Sequence, residues 1–88
     1  MELNGTFQIR DIAGEYVVLP TGDTALKFGG LISLNDVSRL IWEDLEQKKD
    51  KEKILEDILE NFDVSRDQAL ADLDEFLDRM LQHDLLIL

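Results

Sequence analysis

The sequence predicts an α+β fold that is winged-helix-like, with a three-stranded antiparallel β-sheet at the N-terminus followed by a three-helix bundle. Three observations predict it. Strand-like apolar runs are confined to the first 34 positions, apolar residues at helical spacing occupy the remainder, and a capping residue precedes each helix. The 88 residues, without an internal repeat or a linker, are expected to form a single domain over positions 1–88.

The strands are expected within about residues 5–34. Phe7 and Ile9 alternate with polar neighbours, and the YVVL run at 16–19 is rich in β-branched and aromatic residues. Ala13-Gly14 lies between the two runs and supplies a tight turn. These two strands should therefore form a hairpin.

The third strand is expected at 31–34, where LISL follows Gly29-Gly30. These two glycines are expected to end the preceding segment. Pro20-Thr21-Gly22-Asp23 is typical of a turn, because Pro fixes φ and Gly accepts a positive φ. The four residues 25–28 after that turn are interpreted as extended.

The helices are expected over about residues 36–47, 51–62 and 66–83. Each is preceded by a residue whose side chain can accept a hydrogen bond from the first helical turn: Asn35, Asp50 and Ser65. Ser65 with Gln68 also matches a capping box. Trp42 is interpreted as a core anchor of the first of these helices, and the apolar tail at 85–88 either packs back on the sheet or contacts a partner.

The net charge of −11 is concentrated in the helical part, where residues 35–88 contain sixteen acidic and seven basic residues. Nucleic-acid affinity depends on Lys and Arg displacing counterions from phosphates, so no nucleic-acid partner is expected. The chain has no cysteine, no membrane-length apolar run and no basic-then-apolar N-terminus. These features favour a cytoplasmic protein without a membrane partner.

Several short motifs in order resemble the PqqD family, the small peptide-binding domains also called RiPP recognition elements. The YVVL strand at 16–19 is followed by Leu34-Asn35 and then by Ile41-Trp42. The last helix and its end then carry the closing residues of the family pattern: Asp72, Phe76, Leu77, Met80, Leu85 and Leu86. Two positions depart from that pattern, because Met80 replaces a common Leu and Asp84 replaces the usual helix-ending Gly.

The resemblance implies that the protein is a non-catalytic adaptor. It would bind the leader segment of a ribosomally synthesised precursor peptide and present it to a modifying enzyme, often a radical SAM protein. In such domains the peptide adds as a strand to the sheet edge formed by the third strand, facing the last helix. Which precursor and which enzyme are involved, and whether the protein is a monomer or a dimer, are left open.

Transferred to this sequence, the resemblance assigns ten peptide-binding residues. The strand edge comprises Gly30, Leu31, Ile32, Ser33 and Leu34. The last helix would supply an apolar groove floor and a polar rim: Leu73, Phe76 and Met80, with Asp72 and Arg79. The alternative is that the three apolar residues belong to the helix core, and for Leu73 the two interpretations are equally supported. Which face of the third strand is open is not decided.

No motif predicts catalysis, a metal site or a cofactor. His83 is the only histidine, no nucleophile elbow is present, and Gly29-Gly30 matches no phosphate-binding loop. The alternative function is a winged-helix transcription regulator or another protein-interaction module. A DNA-recognition helix needs several basic residues, whereas residues 65–84 contain six acids and only Arg66 and Arg79. The adaptor is therefore the favoured function.

Overall fold

The computed structural model describes residues 1–88 and contains five strands and four helices. The strands are β1 (Glu2–Leu3), β2 (Phe7–Ile12), β3 (Glu15–Pro20), β4 (Ile32–Leu34) and β5 (Leu86–Ile87). The helices are α1 (Asp23–Lys27), α2 (Asp36–Glu46), α3 (Lys51–Asn61) and α4 (Arg66–Gln82). The predicted α+β class and three-stranded antiparallel sheet are confirmed, with strand order β2-β3-β4.

The predicted hairpin is formed by β2 and β3. Its two-residue turn consists of Ala13 at φ 53° and Gly14 at φ 85°. The Gly14 N–H donates to Oδ1 of Asp11 at 3.0 Å, which fixes the turn from the end of β2. Two positive φ angles in succession give the turn the twist that antiparallel strands require.

The segment predicted to be extended at 25–28 is instead mostly helical, and α1 is a fourth helix that the sequence did not predict. Gly22 at φ 57° turns the chain, after which the Phe28 N–H donates to the Thr24 carbonyl at 2.9 Å. The Thr24 hydroxyl also accepts from the Thr6 N–H at 2.8 Å. This tertiary hydrogen bond holds the single turn against the chain that enters β2, so the local sequence alone does not specify it.

The three longer helices begin at the predicted positions and end one residue before the predicted ends. Oδ1 of Asn35, Oδ1 of Asp50 and Oγ of Ser65 each accept a hydrogen bond from the third helical residue. The capping box expected at Ser65 is only half present, because the Gln68 side chain donates to Asp72 at 2.8 Å instead.

The first half of the apolar tail packs back on the molecule, whereas Ile87 is 46% and Leu88 83% exposed. The Leu85 N–H donates to the Met80 carbonyl and the Asp84 N–H to the Leu81 carbonyl, while Asp84 adopts φ 57°. This pattern is a Schellman motif, in which Asp84 takes the left-handed position expected for the family's Gly. Leu85 and Leu86 are consequently buried, and β5 pairs with β1 in a separate two-stranded ribbon.

The winged-helix arrangement is not confirmed. The strands do not all precede the helices, because α1 separates β3 from β4 and β5 follows α4. The core lies between the sheet and α2, α3 and α4, and Trp42 is fully buried in it as predicted, with the Phe7 ring beside it in a T-shaped arrangement. None of the helices is long and apolar enough to cross a membrane.

A buried charge cluster joins α2 to α3. The Lys49 Nζ lies 3.1 Å from Oδ1 of Asp44 and 3.0 Å from Oδ2 of Asp57, and both carboxylates are buried. Burial and the hydrogen bond with Asp57 raise the pKa of Asp44, whereas hydrogen bonds from Asp44 and Lys49 lower the pKa of Asp57 to about 2. Lys49 therefore bridges two buried carboxyl groups at this connection.

Candidate functional site

The strand β4 forms an open edge of the three-stranded sheet. Only β3 is its neighbour, with Val18 opposite Ile32 and Tyr16 opposite Leu34. Alternate backbone N–H and C=O groups on an edge strand point away from the sheet and have no ladder partner. This side of β4 can therefore accept a further strand.

The side chains of the edge segment alternate between two faces. Leu34 is buried and Ile32 packs against the core, whereas Ser33 is exposed and Leu31 is 55% exposed. Ile32 and Leu34 thus face the helices, which answers the question that the sequence left open. Gly30 and Leu31 precede the strand, so the regular edge is shorter than the predicted 30–34 segment.

The helix α4 runs beside this edge, and two cavities lie between them. The first, of about 170 Å³, reaches from β4 to the start of α2 and includes four predicted residues: Ser33, Asp72, Phe76 and Arg79. The second, of about 210 Å³, includes Leu31, Ile32 and Met80 together with Ser33 and Arg79 again. The two cavities are adjacent, because both are lined by Ser33 and Arg79, and together they are called here the β4–α4 groove.

Three of the ten predicted residues do not line the groove. Leu73 is fully buried in the core, and Leu34 points into the same core from the sheet. Gly30 lines neither cavity. The core interpretation of Leu73 is thus the one the structure favours, while Phe76 and Met80 combine burial in the core with a surface in the groove.

The groove also contains residues that the sequence analysis did not assign to it. At one end the lining includes Asn35, Val37, Ser38, Ile41 and Glu75. At the other end it includes Phe28, His83 and Leu85. The ring centroids of Phe28 and His83 lie 5.4 Å apart, and the two rings are tilted by 54°.

Part of this lining was recognisable from helical spacing. Phe76, Arg79 and His83 follow one another at intervals of three and four residues, and such residues share one helix face. Phe28 carried no such signal, because its position depends on α1. The sequence therefore indicated the α4 wall more completely than the opposite wall.

Polar side chains on the rim are held by weak local bonds. Nη2 of Arg79 lies 3.3 Å from Oε1 of Glu75, and both side chains are more than half exposed. An exposed pair four residues apart on a helix contributes only about 0.3–0.5 kcal/mol. Gln68 Nε2 donates to one oxygen of Asp72 at 2.8 Å. These groups can exchange their present partners for a ligand at little cost.

The groove offers shape, backbone hydrogen-bonding groups and a few charges, the elements that bind an extended peptide. The structure contains no group of three or more His, Cys, Asp or Glu side chains able to hold a metal ion.

Comparisons with known proteins give one similar solved structure and one matching family. The structure of TbiB1 in complex with the TbiA(β) leader peptide superposes with a TM-score of 0.74 and 26% sequence identity, covering 97% of this chain and 93% of that one. No curated protein sequence matches the chain significantly. The family model of coenzyme PQQ synthesis protein D (PqqD) matches residues 15–86, from the start of β3 into β5. The chain belongs to the PqqD family.

Proposed function

We propose that this protein is a non-catalytic adaptor that binds the leader segment of a ribosomally synthesised precursor peptide. The leader would add to β4 as an antiparallel or parallel strand, with α4 as the other wall of its groove. The observation that carries this proposal is that an unpaired strand edge lies beside a groove lined by Ile32 and Ser33 of β4 and by α4. The family match and the leader complex of TbiB1 support it.

The groove residues divide into three roles under this proposal. Backbone groups of Ile32–Leu34 would supply hydrogen bonds that any peptide sequence can make. Phe76 and Met80 would form an apolar floor for alternate peptide side chains, and the Met thioether can adapt its shape to them. Asp72 and Arg79 would set the polar rim.

The bound leader would be presented to a separate modifying enzyme, for which we propose a radical SAM protein. The precursor is made by ribosomes, so we place the adaptor in the cytoplasm. The acidic composition, with 20 Asp and Glu against 9 Lys and Arg, supports a peptide rather than a nucleic acid as its ligand.

The test is a titration of the ¹⁵N-labelled protein with the unmodified cognate leader. The largest amide shift changes should fall on residues 30–34 and on the α4 face that lines the groove. A matched leader that is N-methylated at the amides facing β4 should bind at least about tenfold more weakly, because it lacks strand donors but leaves the protein unchanged. Shift changes centred on α3, with no effect of N-methylation, would contradict strand addition.

Ser33→Ala and Ile32→Pro provide a matched pair within β4. Ser33→Ala keeps the backbone and should change leader affinity little. Ile32→Pro removes one backbone donor and distorts the strand, so it should abolish binding. Circular dichroism of the proline variant must show the parent's helix content for this result to count.

A further inference from the structure

We propose that the β4–α4 groove selects its peptide by charge polarity. An acidic peptide side chain would lie beside Arg79, and a basic one would lie toward Asp72 and Glu75. The inference rests on the proposed function, because it assumes that the peptide runs along β4. It adds the chemical class of the leader segment that the groove accepts.

The end of the groove nearest α2 is acidic. Asp72 and Glu75 line the first cavity, and Asp36 lines an adjoining one of about 520 Å³ that shares Ser33 and Asn35. Arg79 is the only basic residue that lines the first cavity, and it lies where the two cavities meet. A peptide residue at this end therefore faces carboxylates.

The opposite end has no acid in its own wall, although a neighbouring cavity that shares Phe28, His83 and Leu85 is lined by Asp23, Asp84 and Lys27. The second cavity is lined by Arg79 and His83 and by no Asp or Glu. This absence stands out in a chain in which acidic residues outnumber basic ones by 20 to 9. A carboxylate of a bound peptide would meet cationic or hydrogen-bond-donating groups there without a competing acid in the cavity wall.

The guanidinium of Arg79 is available for a ligand. Its one hydrogen bond is to Glu75, although the group carries five N–H donors, and its side chain is 53% exposed. A peptide carboxylate can take two of these donors at once, which is the geometry that Arg favours. Arg79 would thereby leave Glu75, whose freed carboxylate could accept a Lys or Arg of the peptide.

The positions of Asp72 and Arg79 on α4 predict how far apart the charged residues of the peptide should be. Asp72 and Arg79 are seven positions apart on α4, or about 10.5 Å along the helix axis. Strand residues on the same face recur about every 6.8 Å. For a peptide that runs along α4, the span between Asp72 and Arg79 falls between one and two such repeats. The acidic and basic residues of the peptide should therefore be two or four positions apart, and a long basic side chain spans the remaining difference.

The experiment uses the full chain and a display library of random twelve-residue peptides. Peptides selected on the parent should be enriched in acid–base pairs at a spacing of two or four. A synthetic copy of an enriched peptide, and a copy with its acid and base exchanged, are then compared by fluorescence anisotropy. The exchanged copy should bind about tenfold more weakly or worse.

The double variant Asp72→Lys with Arg79→Glu should reverse this preference and favour the exchanged peptide. Asp78→Lys is the control for a charge change on α4 outside the groove, because Asp78 is exposed and lines neither cavity. It changes the net charge without changing the groove and should keep the parent's preference. Circular dichroism should show all three proteins equally folded.

Two results would overturn the inference, and they are distinguishable. If selected peptides perturb the amides of β4 but the exchanged copies bind equally well, strand addition stands and charge selection is wrong. If the selected peptides perturb residues elsewhere and leave β4 unchanged, the proposed function fails and the inference fails with it.

Discussion

Asn35 and Ser38 cap each other at the point where β4 passes into α2. Oδ1 of Asn35 accepts from the Ser38 N–H at 2.8 Å, and Oγ of Ser38 accepts from the Asn35 N–H at 2.8 Å. Both residues also line the groove. The reciprocal bonds therefore fix the angle between the strand edge and the helix that closes one end of the site.

Removing the cap should loosen this junction. Asn35→Ala should lower the free energy of unfolding by about 1 kcal/mol, because it leaves a first-turn N–H without its acceptor. Asn35→Asp retains the acceptor oxygen and should stay near the parent. Urea denaturation of the three proteins checks this, and equal midpoints for Asn35→Ala and the parent would show that the cap is not stabilising.

The two carboxyl groups of the α2–α3 connection should respond in opposite ways to substitution. Asp57→Asn should lower stability at pH 7 by about 1–2 kcal/mol, because Lys49 and Lys53 lose their shared carboxylate. Asp44→Asn should leave stability unchanged or higher, because burial disfavours the Asp44 carboxylate, one of whose oxygens has no hydrogen-bond partner, and a neutral amide carries no such cost. Thermal denaturation at matched pH distinguishes the two. A larger loss for Asp44→Asn than for Asp57→Asn would contradict this assignment.

The same cluster should make stability depend on pH below neutrality. The pKa of Asp57 is about 2 in the folded protein and near 3.8 otherwise, so its stabilising contribution is present above about pH 5 and disappears as the pH falls from about 4 to 2. The stability difference between the parent and Asp57→Asn should therefore shrink over that interval. Asp44, whose pKa is raised, should show the reverse dependence, with its cost greatest at neutral pH. Urea unfolding at pH 6, 4 and 3 measures both differences, and pH-independent differences would be inconsistent with these pKa shifts.

Asp84 holds a backbone conformation that glycine adopts more readily. Its φ is 57°, and its carbonyl oxygen accepts a hydrogen bond from the Asn4 side chain that a substitution would preserve. Asp84→Gly should raise the free energy of unfolding by up to about 1 kcal/mol. Asp78→Gly, at an exposed position inside α4, is the control and should lower it by about 1 kcal/mol. A stability loss in both variants would mean that the Asp84 side chain contributes more than its conformation costs.

Substitutions at Leu73 and Phe76 should have different effects, because Leu73 belongs to the core alone and Phe76 to both the core and the groove. Leu73 is fully buried and lines neither cavity, so Leu73→Ala should cost about 2–5 kcal/mol of stability while the folded fraction binds leader as the parent does. Phe76→Ala should weaken both stability and leader binding, because Phe76 reaches both. If Leu73→Ala does not fold, Leu73→Val replaces it in this comparison, because it should lose less stability. Calorimetric titration of the folded variants makes the comparison, and weaker leader binding by a folded Leu73 variant would place this residue in the site.

The elements that the sequence predicted well are those with local causes. Asn35, Asp50 and Ser65 cap helices through bonds to residues three positions away, and the turn at Ala13-Gly14 needs only two adjacent residues. The short helix α1 and the ribbon of β1 with β5 depend on distant partners, such as Thr6 for Thr24. No local pattern could indicate them.

The site was predictable to a similar degree. The resemblance to the PqqD family indicated one strand and one helix, and the structure brings these two elements together. The separation of Leu73 from Phe76 depends on the rotation of α4 about its axis against the core, which side-chain packing determines. Phe28 depends on α1, and its presence in the groove could not be inferred without that helix.

The pairing of Glu2 with Ile87 has a consequence for the order of folding. These residues pair with each other but belong to opposite ends of the chain. The entropic cost of closing so large a loop is small enough to be offset by their pairing only after the helices between them have formed. The ribbon should therefore assemble late, and its amides should exchange with solvent deuterium sooner than those of β3. Since β4 bonds to β3 and not to the ribbon, such opening at the termini leaves the strand edge ordered.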